Sequence, residues 1–351
     1  MKRFLLTLII FYFSSAEAQS VSTFMETTSD GCYGLNISDN FLYVVSSFSG
    51  KVHRKDLNST DTSYETFNIG GTGYVGICKI GNFVYVSKPY NGSEGIYRFN
   101  PNAANITLEY FLNLPTVFGL THRNSELYFS ASNKIYKVNL LSSSPVPIQI
   151  ADNILGVAGF DNSTIGLKVY GDNLYLSESI GISKINLISG NYEKELISSF
   201  TGNSFALGNS NNIYLTGGQV PTAVYENNLQ AQTYSILTQI NNFFFTYDII
   251  YFDNFLFVTT QEGDYNKVAK INLNNLNTSG TNQIIPYVFP SFVDDFINLI
   301  GIEDIESVKI INQQGQVKSF KVENAKIDVS NLSAGMYYIK TNNWIKKFIK
   351  K

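Results

Sequence analysis

Apolar and polar residues alternate along most of this chain with a period of two, and clusters of Asn, Asp, Gly and Ser interrupt the alternation at short intervals. That is the pattern of half-buried β-strands joined by tight turns, and a helical period is nowhere sustained. The alternation is itself repeated. The segments SDNFLYVVS (38–46), IGNFVYVSK (80–88), RNSELYFSA (123–131), YGDNLYLSE (170–178), NSNNIYLTG (209–217) and FDNFLFVTT (252–260) each run from a polar turn into an aliphatic–aromatic–apolar–Ser/Thr phrase. Their shared aromatic falls at Tyr43, Tyr85, Tyr128, Tyr175, Tyr214 and Phe257, at intervals of 39 to 47 residues.

Two further pieces recur in each unit. Upstream lies an apolar–small–aliphatic step: Tyr33-Gly34-Leu35, Val75-Gly76-Ile77, Phe118-Gly119-Leu120, Ile165-Gly166-Leu167 and Phe205-Ala206-Leu207. Downstream lies a third alternating strand, as in IYKVNL (135–140) and ISKINL (182–187), and then a more variable fourth. Four strands in about 43 residues, repeated around a ring, predict a β-propeller, because a single blade cannot cover both of its own faces. The sequence therefore predicts an all-β chain with a six-bladed propeller over residues 19–285. The segment SVSTFMETT (20–28) resembles a fourth strand and precedes the first unit, so it should close the ring as the outer strand of the last blade. The small residue of the upstream step suits the inner strand, where blades converge.

Composition narrows the chemistry. Only 15% of residues are charged and the net charge is −3, which leaves no basic footprint for nucleic acid. Residues 1–18 form a secretory signal: Lys2 and Arg3, the apolar run FLLTLIIFYF (4–13), and Ala16-Glu17-Ala18 ahead of a cut between Ala18 and Gln19. Ten apolar residues are too few to span a bilayer, and no later run is longer, so the mature chain is expected to carry no transmembrane segment. Two cysteines, Cys32 and Cys78, can pair or remain buried thiols.

In its repeat the chain resembles secreted bacterial propellers of the NHL and regucalcin/gluconolactonase-like kind, through the Asn/Asp-x-Leu-Tyr-Val-Ser phrase and the following Ile-Tyr-Lys-Ile-Asn-Leu. The resemblance is specific for fold and says little of function. Residues 286–351 resemble the C-terminal sorting domain of type IX secretion cargo from Bacteroidetes. The matching pieces are Asp295-Phe296-Ile297-Asn298, Val308-Lys309-Ile310 leading to Gly315-Gln316, IDVSNLSAGMYYIK (327–340) and the closing lysine-rich strand. A Phe289-Pro290 opening stands where the family has Tyr-Pro-Asn-Pro. The resemblance implies a small β-sandwich, the type IX secretion machinery as partner, and delivery to the cell surface or beyond. Gly315, Leu332, Gly335 and Tyr337 are the residues expected to be structurally demanded.

Candidate chemistry is sparse. No Gly-x-Ser-x-Gly elbow, His-Glu-x-x-His or Walker loop occurs, which favours non-catalytic binding of a protein or glycan. Loops expected over one propeller face carry Tyr33, Tyr74, Tyr90, Phe243 and Tyr265, an aromatic set of the kind binding loops use. One departure from the repeat stands out: the sixth unit places Asp248 where the others have Gly or Ala. A carboxylate near the channel, with Asn36 as a second oxygen, is the sequence's candidate for a cation such as calcium, and implies a metal-dependent lactonase-type hydrolase as the alternative function. A channel filled by lysine, with Lys168 the nearest, would exclude it.

Overall fold

The computed structural model describes residues 21–273, apart from 29, 91, 157–163, 209–211, 218–222, 231–232, 241–244 and 263–264. It also describes 287–350, apart from 290–291, 294, 301–307, 319, 324–325 and 341–344. Among the described residues every regular element is a strand. Ala18 and Gln19 of the expected cleavage site, and Phe243, lie outside them.

Each repeat folds as one four-stranded antiparallel sheet. Blade 1 comprises Cys32–Ser38, Phe41–Ser46, Lys51–Asp56 and Glu65–Asn68; blades 2 to 5 repeat the order, with first strands Ile77–Ile80, Val117–Arg123, Leu167–Tyr170 and Ser204–Leu207. Blade 6 draws three strands, Phe245–Phe252, Phe255–Glu262 and Tyr265–Asn272, from the end of the repeat, and its fourth, Val21–Thr28, from the beginning. The first strands of successive blades pack on one another around the ring, and that of blade 6 returns to that of blade 1. The turn residues explain the hairpins: Asp39, Asn40, Asn124, Asp253 and Asn254 all have positive φ, which Asn and Asp tolerate better than other side chains.

The apolar phases of the strands meet between blades. Tyr43, Val45 and Val52 of blade 1 pack against Ile77, Val84 and Val86 of blade 2, and equivalent clusters fill the other junctions. At the start of each first strand the blades come closer still. A Cβ on Gly34 would sit 2.5 Å from the Val75 carbonyl oxygen, and one on Gly76 would overlap that of Phe118. The small residue of the repeat is thus required by the backbone of the next blade, not by crowding at the axis alone.

The Ser/Thr that ends the second-strand phrase has a defined task. Ser87 Oγ accepts from its own blade's Gly76 N at 2.8 Å and donates to Phe118 O of the next blade at 2.6 Å. Ser130 does the same between Gly119 N and Thr164 O. Thr259 carries the pattern across the ring closure, between Asp248 N and Tyr33 O. Each hydroxyl bridges backbone groups of two successive blades where their first strands pack.

In the C-terminal module two sheets enclose a shared core. One includes Phe296–Ile300 and Lys326–Asp328; the other includes Lys309–Asn312, Gly335–Lys340 and Ile345–Lys350. Ile297 and Ile327 face Ile310, Ile339 and Phe348 across it. Tyr337 stacks on Phe348 with centroids 5.5 Å apart and donates to Ser333 O, and Leu332 packs at the core's margin. Gly315 has φ +79° in the turn after Lys309–Asn312, and Gly335 begins the Gly335–Lys340 strand.

Candidate functional site

The residues before the small position in blades 1 to 4 and 6 gather at one end of the ring, whereas Phe205 of blade 5 is buried in the junction with blade 4. Val75, Phe118 and Ile165 cluster there, with Tyr33, Tyr90 and Tyr247 packed on them. Tyr33 of blade 1 and Tyr247 of blade 6 stack with centroids 4.2 Å apart, and Tyr90 meets Phe118 edge-on at 5.4 Å. Phe48, from the loop between the second and third strands of blade 1, stands edge-on to Tyr33 at 6.2 Å and is 56% exposed. The three tyrosines are half-buried, so the mouth presents ring surface over an apolar floor. Burial and the neighbouring Tyr33 push the Tyr247 phenol well above its ordinary range, and its hydroxyl donates to Gln261 Oε1 at 2.9 Å. The platform is neutral, with hydroxyls and an amide at its margin.

Beneath it lies the polar centre. Asp248, 3% exposed, holds Lys168 of blade 4 through both carboxylate oxygens, at 2.9 and 3.2 Å. The same carboxylate accepts from Ser204 Oγ of blade 5 at 2.6 Å, from Leu35 N of blade 1 at 2.8 Å and from Ile249 N at 2.9 Å. One side chain of blade 6 thereby ties blades 1, 4 and 5. Nearby, Cys78 Sγ and His122 Nδ1 lie 3.3 Å apart; burial raises the thiol to about 12 and lowers the imidazole, so the pair is uncharged at neutral pH.

The structure brings together some of the residues singled out in the sequence and separates others. Tyr33 and Tyr90 share the mouth. Tyr74 does not join them: it is buried between blades 1 and 2, edge-on to Tyr97 at 6.1 Å. Tyr265 begins the third strand of blade 6. Asn36 is not turned to Asp248; its Oδ1 accepts from Lys79 N of blade 2 at 3.0 Å. Asp248 itself is occupied by an ammonium group, the lysine-filled arrangement incompatible with the expected cation cluster. Among the described residues no three His, Cys, Asp or Glu side chains converge on a common point. Cys32 and Cys78 are both buried free thiols. Phe48 and Tyr247 are not among the residues the sequence singles out, and Lys168 enters there only as the lysine nearest the channel. Tyr247 was within reach, since the alignment that puts Asp248 in the small position puts Tyr247 in the ring just before it.

Known proteins supply context for both modules. Residues 287–351 match the secretion system C-terminal sorting domain family. The match covers the C-terminal module only and marks the chain as type IX secretion cargo, secreted or attached to the outer cell surface. Among solved structures the chain is similar to a protein of unknown function from Bacteroides thetaiotaomicron VPI-5482, with TM-score 0.53 and 16% identity over 73% of this chain and 76% of that one. It is also similar to a luciferin-regenerating enzyme, with TM-score 0.54 and 12% identity over 74% of this chain and 96% of that one. At these identities the likeness establishes the propeller fold and nothing of activity. Comparison with curated proteins finds no match. No helix among the described residues is long and apolar enough to cross a membrane.

Proposed function

We propose that this is a non-catalytic binding protein of the cell exterior, whose propeller captures a glycan at the aromatic mouth. On this reading the signal over residues 1–18 is cut between Ala18 and Gln19, the propeller occupies 19–285, and the sorting module 286–351 takes the chain through the type IX machinery. The supporting observation is the half-exposed Tyr33–Tyr247 stack, extended by Tyr90 and Phe48 over an apolar floor. Flat neutral rings stack on the C–H face of a sugar while the marginal hydroxyls and Gln261 bond its hydroxyl groups. A lactonase-type reaction has less support, because the carboxylate that would hold its cation is neutralised by Lys168.

The test is a glycan array with the mature protein, followed by calorimetric titration of the best binder. Phe48→Ala should weaken binding about tenfold, roughly 1.4 kcal/mol, without lowering stability, since Phe48 is a largely exposed side chain. Binding unchanged in both Phe48→Ala and Tyr90→Ala would remove the mouth as the site. A protein ligand recovered in place of a glycan would keep the site and change the ligand class.

A further inference from the structure

The junction of blade 6 with blade 1 holds a polar cluster that the mouth does not use. Among the described residues two buried side-chain polar atoms have no hydrogen-bond partner, His53 Nε2 and Asn266 Oδ1, and both belong to this junction. His53, 2% exposed, lies on the third strand of blade 1. Its Nδ1 is 3.0 Å from Thr66 Oγ1, and in the tautomer where that hydroxyl accepts from Nδ1–H a lone pair stands on Nε2. That nitrogen faces Asp30, whose carboxylate is 8% exposed and whose Oδ2 lies 3.6 Å away. The gap is too long for a hydrogen bond. It is close to the ~3.4 Å that separates two ligands each ~2.1 Å from a tetrahedral metal.

The third donor comes from the third strand of blade 6. Thr27 pairs with Asn266 across the ladder, so their side chains share a face. Thr27 Oγ1 lies 3.1 Å from Cys32 Sγ of blade 1, which shows that this face is turned to the junction. We infer that His53 Nε2 and the Asp30 carboxylate, with Asn266 Oδ1 beside them and water completing the shell, form a zinc-type divalent metal site that clasps the two ends of the ring. The donor set is two such side chains plus an amide, and nitrogen with oxygen ligands suits zinc or cobalt better than calcium. Burial keeps the imidazole neutral, with its pKa lowered to about 4, and therefore ready to ligate. The competing cation is Lys51, whose Nζ is 3.0 Å from Asp30 Oδ2 and whose side chain is 34% exposed. It can swing into solvent as the metal enters. Tyr64 closes the far side, edge-on to His53 at 5.2 Å.

The experiment is titration of chelator-treated mature protein with cobalt(II), then zinc. The expected result is a one-to-one visible d–d spectrum that zinc abolishes. The melting midpoint should rise by about 5–10 °C at roughly 100 times the dissociation constant. His53→Gln should lose the spectrum while keeping the circular dichroism of the parent. Lys51→Met, with its circular dichroism checked against the parent, should tighten cobalt binding about tenfold by removing the competing charge. No stoichiometric spectrum at millimolar cobalt, equal binding by His53→Gln, or no gain in Lys51→Met would overturn the site. So would a zinc-soaked crystal showing only an ordered water between His53 and Asn266.

Discussion

Replacing Asp248 with alanine isolates what the carboxylate contributes. Asp248 already carries a Cβ, so alanine fits the backbone and the effect is one of lost partners. The substitution strands a Lys168 ammonium whose side chain is 13% exposed, and it leaves Leu35 N and Ser204 Oγ without their acceptor. Removing one member of a buried ion pair typically costs about 3–5 kcal/mol. Each orphaned donor adds about 1–3 kcal/mol at most, reduced here by local repacking and by water reaching Lys168. A net loss of about 4 kcal/mol is expected, which for a propeller of this size lowers the melting midpoint by about 8–16 °C.

Calorimetry of Asp248→Ala, Lys168→Met and the double variant is the decisive set. The double variant should be more stable than Asp248→Ala alone by about 2 kcal/mol, because it no longer buries an unpaired charge. A loss below about 1 kcal/mol for Asp248→Ala, or simple additivity of the two changes, would refute the reasoning. Calcium separates it from the cation-site alternative. If Asp248 were a calcium ligand, chelation would lower the parent's midpoint and leave the variant unaffected; the ion pair predicts no calcium effect on either.

Three further outcomes follow from the same geometry. Ser87→Ala removes the hydroxyl between Gly76 N and Phe118 O and should cost about 2 kcal/mol in urea unfolding, whereas Ser142→Ala on an exposed loop should cost less than about 0.5 kcal/mol. His122, lowered by burial, should titrate by NMR below the ordinary 6.5; its neutral form is the one folding favours, so its share of stability is present above pH 6.5 and is lost as pH falls. A measured value at or above 6.5 would contradict this. Deleting residues 287–351 should leave the propeller folded but retained inside the outer membrane, checked by fractionating cells, and surface display of the truncated chain would refute the sorting role.

The blades were legible because each is local in sequence. The phrase ending in Ser87 or Ser130 recurs at a fixed place after a fixed turn, and period-two alternation gives the strand and its buried face together. Even the closing strand could be assigned, from one surplus fourth-strand pattern before residue 32. The site was harder to see because it is assembled from positions that never neighbour one another in the chain. Lys168 could be named as the lysine nearest the channel, but nothing around it in sequence shows that it pairs with a carboxylate 80 residues away, past blade 5. Tyr74 failed for the opposite reason: a Gly-rich loop sets no direction for the aromatic that follows it, and the side chain turned into the junction with Tyr97.

The unusual residues concentrate at one place for a physical reason. Blades 1 to 6 are joined in order by short connections, so each junction forms between segments that are already close. The junction of blade 6 with blade 1 alone must bring together residues more than 200 positions apart, as Asp248 to Leu35 and Thr259 to Tyr33 show. Its loop-closure entropy is the largest in the ring, although it grows only logarithmically with length. Strand Val21–Thr28 answers this by hydrogen bonding along Tyr265–Asn272, covalently continuous with blade 1 and laddered to blade 6. Asp248 adds a charged bond across the same gap, and Asp30, His53 and Asn266 lie on it. Opening should therefore begin here. Hydrogen exchange of the Leu35 amide, held by Asp248, should in Asp248→Ala accelerate far more than that of Leu120 in blade 3, whose junctions leave the chain intact. Equal acceleration at both positions would mean that the ring opens as one cooperative unit and that the closure is not its weakest seam.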